Sequence, residues 1–211
     1  MLTLSSMARN LGFSALLAFI LVNAIVDGVS RQTIICYSVS SFCRFLGLIL
    51  SHSYLPIDGT GDWFYQFIEI SSTLLCLALV WKLKKEQFLP VQSENEPLNV
   101  GYLLAGTLVV SLLFKSSTSG KYLADLTWSY SMYLESIAML PQMLYFYKKK
   151  RSVKSGIGNF VVAQAISLLF SFVFWISCYD ELHSWTGVII LGSQAIELVI
   201  YWFFLYPYFE K

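Results

Sequence analysis

Long apolar runs recur along the chain, each about as long as a bilayer crossing and each closed by a short polar stretch. A helix needs about 20 apolar residues to cross the hydrocarbon core. Seven runs meet that length, at about Met7–Val26, Thr33–Ser51, Trp63–Trp81, Leu98–Phe114, Tyr122–Tyr147, Ile157–Tyr179 and Ser184–Tyr206. The breaks carry turn chemistry. They are Asp27-Gly28-Val29-Ser30-Arg31, the stretch 51–62 with Pro56 and Asp58-Gly59-Thr60, the polar segment 82–97 with Pro90 and Pro97, the Ser- and Gly-rich 115–121, and the basic run 148–154. The pattern predicts an all-α integral membrane protein, one seven-helix membrane domain covering residues 1–211.

Within these runs some polar positions fall at helical spacing, so they share faces. On the second run these are Tyr37, Ser40, Ser41, Arg44 and Ser51, and on the third Gln66, Glu69 and Thr73. On the fifth, Asp125, Trp128, Met132, Glu135, Met139 and Gln142 line up, with a Pro141-Gln142 step near the end. On the sixth, Gln164, Ser167, Ser171, Trp175 and Cys178 do so, and on the seventh Gln194, Glu197 and Tyr201. A charge in hydrocarbon costs several kcal/mol, roughly 2.5–3.5 on insertion scales, so Arg44, Glu69, Glu135 and Glu197 must face protein or water. A bundle with a polar interior follows. Two readings of that interior stand side by side. The small and hydroxylated residues serve close helix packing, and Arg44 with Glu69, Glu135 or Glu197 forms a structural ion pair. Alternatively, the same groups line a functional cavity.

Composition supports the membrane assignment: 56% of residues are hydrophobic, only 13% are charged, and mean hydropathy is +0.63. Soluble domains carry about 25% charged residues. Charge also sets orientation, because Lys and Arg collect in cytosolic loops. Arg31, Lys82, Lys84, Lys85, Lys148, Lys149, Lys150, Arg151, Lys154 and Lys211 fall on one side, against Arg9, Lys115 and Lys121 on the other. The N-terminus is therefore expected to be lumenal or extracellular and the C-terminus cytosolic. Aromatic residues at run ends (Trp63, Trp81, Tyr122, Trp185, Tyr206, Tyr208) read as an interfacial belt.

No HExxH, GxSxG or Gly-rich phosphate loop is present. The expectation is a protein that is not an enzyme, with no cofactor, no metal and no nucleic-acid partner. The four cysteines (Cys36, Cys43, Cys76, Cys178) lie in or beside apolar runs and read as small buried residues. His52 and His183 fall in loops on the lumenal side, where a solvated role is expected and a pH role is the alternative.

The run Trp128–Gln142, W-S-Y-S-M-Y-L-E-S-I-A-M-L-P-Q, closely resembles a fifth-helix signature, W-x-F-S-I-Y-L-E-S-V-A-I-L-P-Q, of the ER lumen protein-retaining (KDEL) receptors. Gly28-Val29-Ser30 and, further on, Arg44-Phe45-Leu46 resemble that family's G-I-S and R-Y-L elements at the same spacing, and Arg9-Asn10-Leu11-Gly12 resembles its R-x-L-G. The resemblance implies a bundle of two pseudo-repeated three-helix units joined by a linking helix, related to PQ-loop and SWEET transporters. It implies a receptor that binds C-terminal KDEL- or HDEL-type tetrapeptides of escaped ER residents in the acidic Golgi. The cargo is then returned to the ER in COPI vesicles. ER and Golgi membranes are the implied location, and the tetrapeptide, the COPI coat and the bilayer the implied partners. By the same resemblance Arg9 and Arg44 bind the signal's carboxylate and Asp125 meets its basic residue. Trp128 and Trp175 wall the pocket, and Glu135 acts in a proton-linked lock.

The chain departs from the family pattern at named positions. Helix-six arginines become Leu168 and Cys178, and a tyrosine that partners the embedded glutamate becomes Ser167. The acidic residue of R-Y-L-D becomes Gly47, and a first-helix histidine falls at Ala15 or Leu16. A seventh-helix aspartate falls near Tyr201 or Trp202, with Glu197 one turn away, and the lysine-rich tail shortens to Glu210-Lys211. The alternative function on the same bundle is a proton-coupled small-solute transporter, since intramembrane carboxylates relay protons.

Overall fold

The structure is a computed structural model that describes residues 1–23, 28–51, 63–86, 98–117, 119–149, 155–182 and 184–209. His52, His183 and Glu210-Lys211 lie outside the described residues, as does most of the polar 82–97 segment. The helices are α1 (Leu2–Asn23), α2 (Arg31–Ser51), α3 (Trp63–Glu86), α4 (Val100–Leu113), α5 (Tyr122–Ile137), α6 (Leu140–Lys149), α7 (Ser155–Ser177) and α8 (Ser184–Phe209). A 3-10 turn, Tyr179–Glu181, follows α7. Among the described residues there is no strand.

Five helices, α1, α2, α3, α7 and α8, are long and apolar enough to cross a membrane. α4 has 14 residues, about 21 Å at 1.5 Å per residue, shorter than the hydrocarbon core. Asn99 caps it, its side chain accepting from the Gly101 N–H at 2.9 Å. The fifth expected run is built as two helices rather than one. At the break the Ala138 N–H reaches back to the Glu135 carbonyl, a tighter three-residue turn in place of a four-residue one. Pro141 then sits in the first turn of α6, where a missing N–H costs little. α1 begins at Leu2, ahead of the expected Met7. Ser5 and Ser6 lower the hydropathy of its first turn, yet both are buried and bonded inward.

The packing has an internal symmetry. α3 packs on α1 and α2, as α8 packs on α5 and α7. Across the middle, α1 packs on α7 and α2 on α5. Exchanging α1, α2 and α3 for α5, α7 and α8 maps every one of these contacts onto another. α4 lies against α5 as the linking helix. The all-α, multi-pass bundle of two related three-helix units is thus the observed architecture.

Two glycines permit close approaches. A Cβ on Gly12 would meet Ala163 Cβ and Gln164 Nε2 at 3.0 Å, so the glycine of the Arg9–Gly12 element lets α1 lie against α7. Gly28 has φ +108, a left-handed turn that favours glycine, at the entry to α2. The Gln142 side chain secures that turn from α6. It accepts from the Ser30 N–H at 2.7 Å and its amide donates to the Gly28 carbonyl at 2.8 Å. The apolar core runs between the two units, with Phe13, Tyr37 and Phe160 in mutual ring contact at 5.5–6.1 Å. Trp63, Trp81, Tyr122, Trp185 and Tyr206 stay exposed near helix ends, as the belt requires.

Candidate functional site

A cavity lies between the two units, with about 60 Å³ open to the centres of water molecules. A single water needs roughly 10–15 Å³ on that measure, so several fit. Every membrane-length helix contributes to its wall: Ser6 and Arg9 from α1, Arg44 from α2, Tyr65 from α3, Ser171 and Trp175 from α7, Gln194 and Glu197 from α8. α5 adds Trp128, Met132 and Glu135. These come from the first halves of α1, α3 and the α5–α6 run, the first half to the middle of α8, and the middle and later parts of α2 and α7, so the cavity lies toward one end of the bundle. Lys82, Lys84 and Lys148 fall near the ends of α3 and α6 and Arg31 at the start of α2, at the opposite end.

An ion network crosses the cavity. Arg9 Nη2 donates to Glu69 Oε1 at 2.5 Å and Arg9 Nη1 to Glu135 Oε1 at 2.7 Å. Arg44 Nη2 donates to the other oxygen of Glu135. Glu135 thus bridges two guanidiniums, one from α1 and one from α2. Ser6 adds a 2.8 Å donation to Glu69, and Arg44 Nε donates to Ser131 Oγ at 3.3 Å. Such burial is tolerable only because each charge has a partner, and taking one partner away from a buried pair costs about 3–5 kcal/mol. Glu197 stands apart from this pairing. It is buried and feels the charge of both arginines, but among the described residues no hydrogen bond or ion pair engages it.

The residues singled out in the sequence divide into two groups. Arg9, Arg44, Trp128, Glu135 and Trp175 come together in the cavity wall, Trp128 and Trp175 edge to face at 5.8 Å. Asp125 is not among the lining residues. It is 1% exposed, accepts from the Ser119 N–H and hydroxyl at 2.7 and 2.8 Å, and pairs with Lys115 at 3.4 Å. It therefore holds Lys115 and Ser119 against the first turn of α5. Met139 lies in the break and Gln142 on α6, so the face running from Asp125 to Gln142 is divided between the loop, the cavity and the Gly28 turn.

The departures also find places. Ser167 lines the cavity and is bonded to Ser5, whose hydroxyl donates to the Ser167 carbonyl at 2.8 Å. Leu168 lines it as well, while Cys178, just past the end of α7, lies outside the lining set. Gly47 is buried where α2 meets α5, and a Cβ there would already stand 3.3 Å from Thr127 Oγ1. The sequence reading missed the Arg9–Glu69 pair and Ser5 and Ser6. Their signal was available: Ser5, Ser6 and Arg9 share a helical face, hidden because the first run was started too late.

Comparison with known proteins identifies the family. The family model for the ER lumen protein retaining receptor matches residues 25–178. The chain belongs to that family. It is 26% identical over 187 residues to an ER lumen protein-retaining receptor of Dictyostelium discoideum, covering 86% of this chain and 80% of that one. Its identity to the Saccharomyces cerevisiae receptor of the same description is 23% over 188 residues, 88% and 82% of the two chains. To the ER lumen protein-retaining receptor 3 of Mus musculus it is 25% over 188 residues, 83% and 81%. The matched segment starts after α1, so Arg9 falls outside it, and Arg44, Asp125, Trp128, Glu135 and Trp175 fall inside.

Proposed function

We propose that the chain is a multi-pass receptor of the early secretory pathway that binds the C-terminal tetrapeptide of escaped ER lumenal proteins in this cavity. The supporting observation is the convergence of Arg9 and Arg44 on Glu135 in a space water can enter. A guanidinium fork is suited to a terminal carboxylate because it offers paired donors. In this arrangement Glu69 and Glu135 occupy those donors, as a ligand carboxylate would. Binding is an exchange: the ligand carboxylate replaces an internal one, and protonation of Glu135 removes the competitor. An acidic compartment favours that exchange and a more neutral one reverses it.

The basic helix ends lie opposite the cavity, so with positive residues cytosolic the cavity faces the lumen. In this reading the protein cycles between Golgi and ER membranes and returns cargo through the COPI coat. Trp128 and Trp175 pack the apolar part of the peptide, and Asp125 supports the site by holding Lys115 and Ser119 against α5. A tagged copy should move from Golgi to ER when a tetrapeptide-bearing cargo is overexpressed, and Arg44→Ala should stay in place. A wild-type copy that ignores the cargo would sink the reading. The division of the fifth run at Ala138–Met139 supports a second reading, a proton-coupled small-solute transporter, because broken helices are common in transporter cores. Proteoliposome flux without peptide binding would favour it.

A further inference from the structure

Two carboxylates, Glu135 and Glu197, and two guanidiniums, Arg9 and Arg44, line the cavity, and a third carboxylate, Glu69, is buried behind Arg9. Both guanidiniums are already paired with Glu69 or Glu135, which leaves Glu197 as the excess negative charge. Its neighbour one turn earlier, Gln194, carries a second unused acceptor. Gln194 Nε2 donates to Ser171 Oγ at 2.6 Å, and its Oε1 is buried with no partner. Gln194 is 8% exposed and Glu197 9%, and both line the cavity. Three positions apart on α8, they share a face. Two cavity hydroxyls are committed elsewhere: Ser193 donates to the Ile190 carbonyl at 2.8 Å and Ser5 to the Ser167 carbonyl. A buried amide oxygen without a donor is costly to leave unmet, and the Glu197 carboxylate beside it offers its acceptors to the cavity.

We propose that Glu197 and Gln194 form a subsite for a cationic donor group, an alkylammonium or guanidinium borne by the ligand. The ligand then carries two charges, an anionic end for Arg9 and Arg44 and a cationic group for α8. This deepens the tetrapeptide reading and rests on it for the ligand's anionic end. It moves recognition of a basic group from Asp125, whose carboxylate is held by Lys115 and Ser119, to the last helix.

The test uses the full-length chain purified in detergent. Binding is measured for a peptide ending Lys-Asp-Glu-Leu and for the same peptide with its lysine Nε-acetylated. Acetylation should weaken wild-type binding at least about tenfold, the usual worth of a charge-assisted hydrogen bond, and should make less than about a threefold difference in Glu197→Gln. An equal acetylation penalty in both proteins overturns the proposal while leaving the tetrapeptide reading intact. Should neither peptide bind the wild type, that reading fails and the subsite is judged by n-butylammonium alone. The amine should then raise the melting temperature of wild type and not of Glu197→Gln, and no rise in wild type overturns the subsite. If Glu197→Gln does not fold, Gln194→Met, which removes the second acceptor, is read in its place by the same criteria.

Discussion

Arg9 and Glu69 face each other at 2.5 Å with side chains only 4% and 0% exposed, and the same guanidinium reaches Glu135. The first arginine of the chain is thus held inside the bundle by two carboxylates from two different helices. That relationship ties stability to binding. Glu69→Gln should lower thermal stability in detergent by about 3 kcal/mol, the low end for a broken buried pair because Glu135 remains. It should also raise peptide affinity at neutral pH by freeing Arg9. Unfolding curves and peptide titration on the same sample check both, and loss of stability with unchanged affinity would mean Arg9 never meets the ligand.

Arg44 is less enclosed, with its side chain 17% exposed, and bonds Glu135 and Ser131. Arg44→Ala removes a charge-assisted contact worth about 1.5–3 kcal/mol and should weaken peptide capture roughly 10- to 150-fold. Calorimetry on the purified variant measures it. Wild-type affinity in the variant would place the carboxylate elsewhere.

Glu135 accepts from both arginines, so its protonation state sets how free they are. Wild-type affinity should rise as pH falls, because a neutral carboxyl releases the guanidiniums. Glu135→Gln is permanently neutral and should bind at neutral pH nearly as well as wild type does in acid. A peptide titration across pH reads this as a flattened profile, and an unchanged profile assigns the proton to another group.

The outline of the fold was legible because the bilayer demands it. Run length located the helices, five of them long and apolar enough to cross a membrane, and loop charge placed the basic helix ends together, opposite Arg9 and Glu135. The break at Ala138–Met139 was foreshadowed by Pro141 but not readable as a helix end, since the apolar run continues through it. For the site, helical spacing identified which residues face inward but not which face each other. Arg9 meets Glu69 across 60 positions of sequence, and Asp125 turns to Lys115, a loop residue. Partner choice of that kind depends on helix rotation and loop path, which periodicity does not carry.

Tyr37 and Tyr201 bridge the two units through their hydroxyls at 2.8 Å, both buried. Either single change to Phe strands the other hydroxyl and should cost about 1–3 kcal/mol, while the double change should cost less than the two singles summed. Thermal melts of the four proteins complete the cycle, and simple additivity would show that the pair is not coupled.

Gln142 supplies both bonds that hold the Gly28–Ser30 turn. Gln142→Leu leaves a buried N–H and a carbonyl unmet and should destabilise by about 2–4 kcal/mol, with no direct effect on the cavity lining. A melting-temperature drop with peptide affinity preserved is the expected pattern, and a stable variant would show that water replaces the amide.

The most direct test of the central claim is saturable binding of a KDEL- or HDEL-ended peptide to the purified chain at pH ~5.5 and ~7.2, a window that brackets acidic and near-neutral compartments. The account predicts binding at the lower pH that weakens at the higher one and disappears in Arg44→Ala. Absence of saturable binding of any C-terminal tetrapeptide at either pH would contradict it.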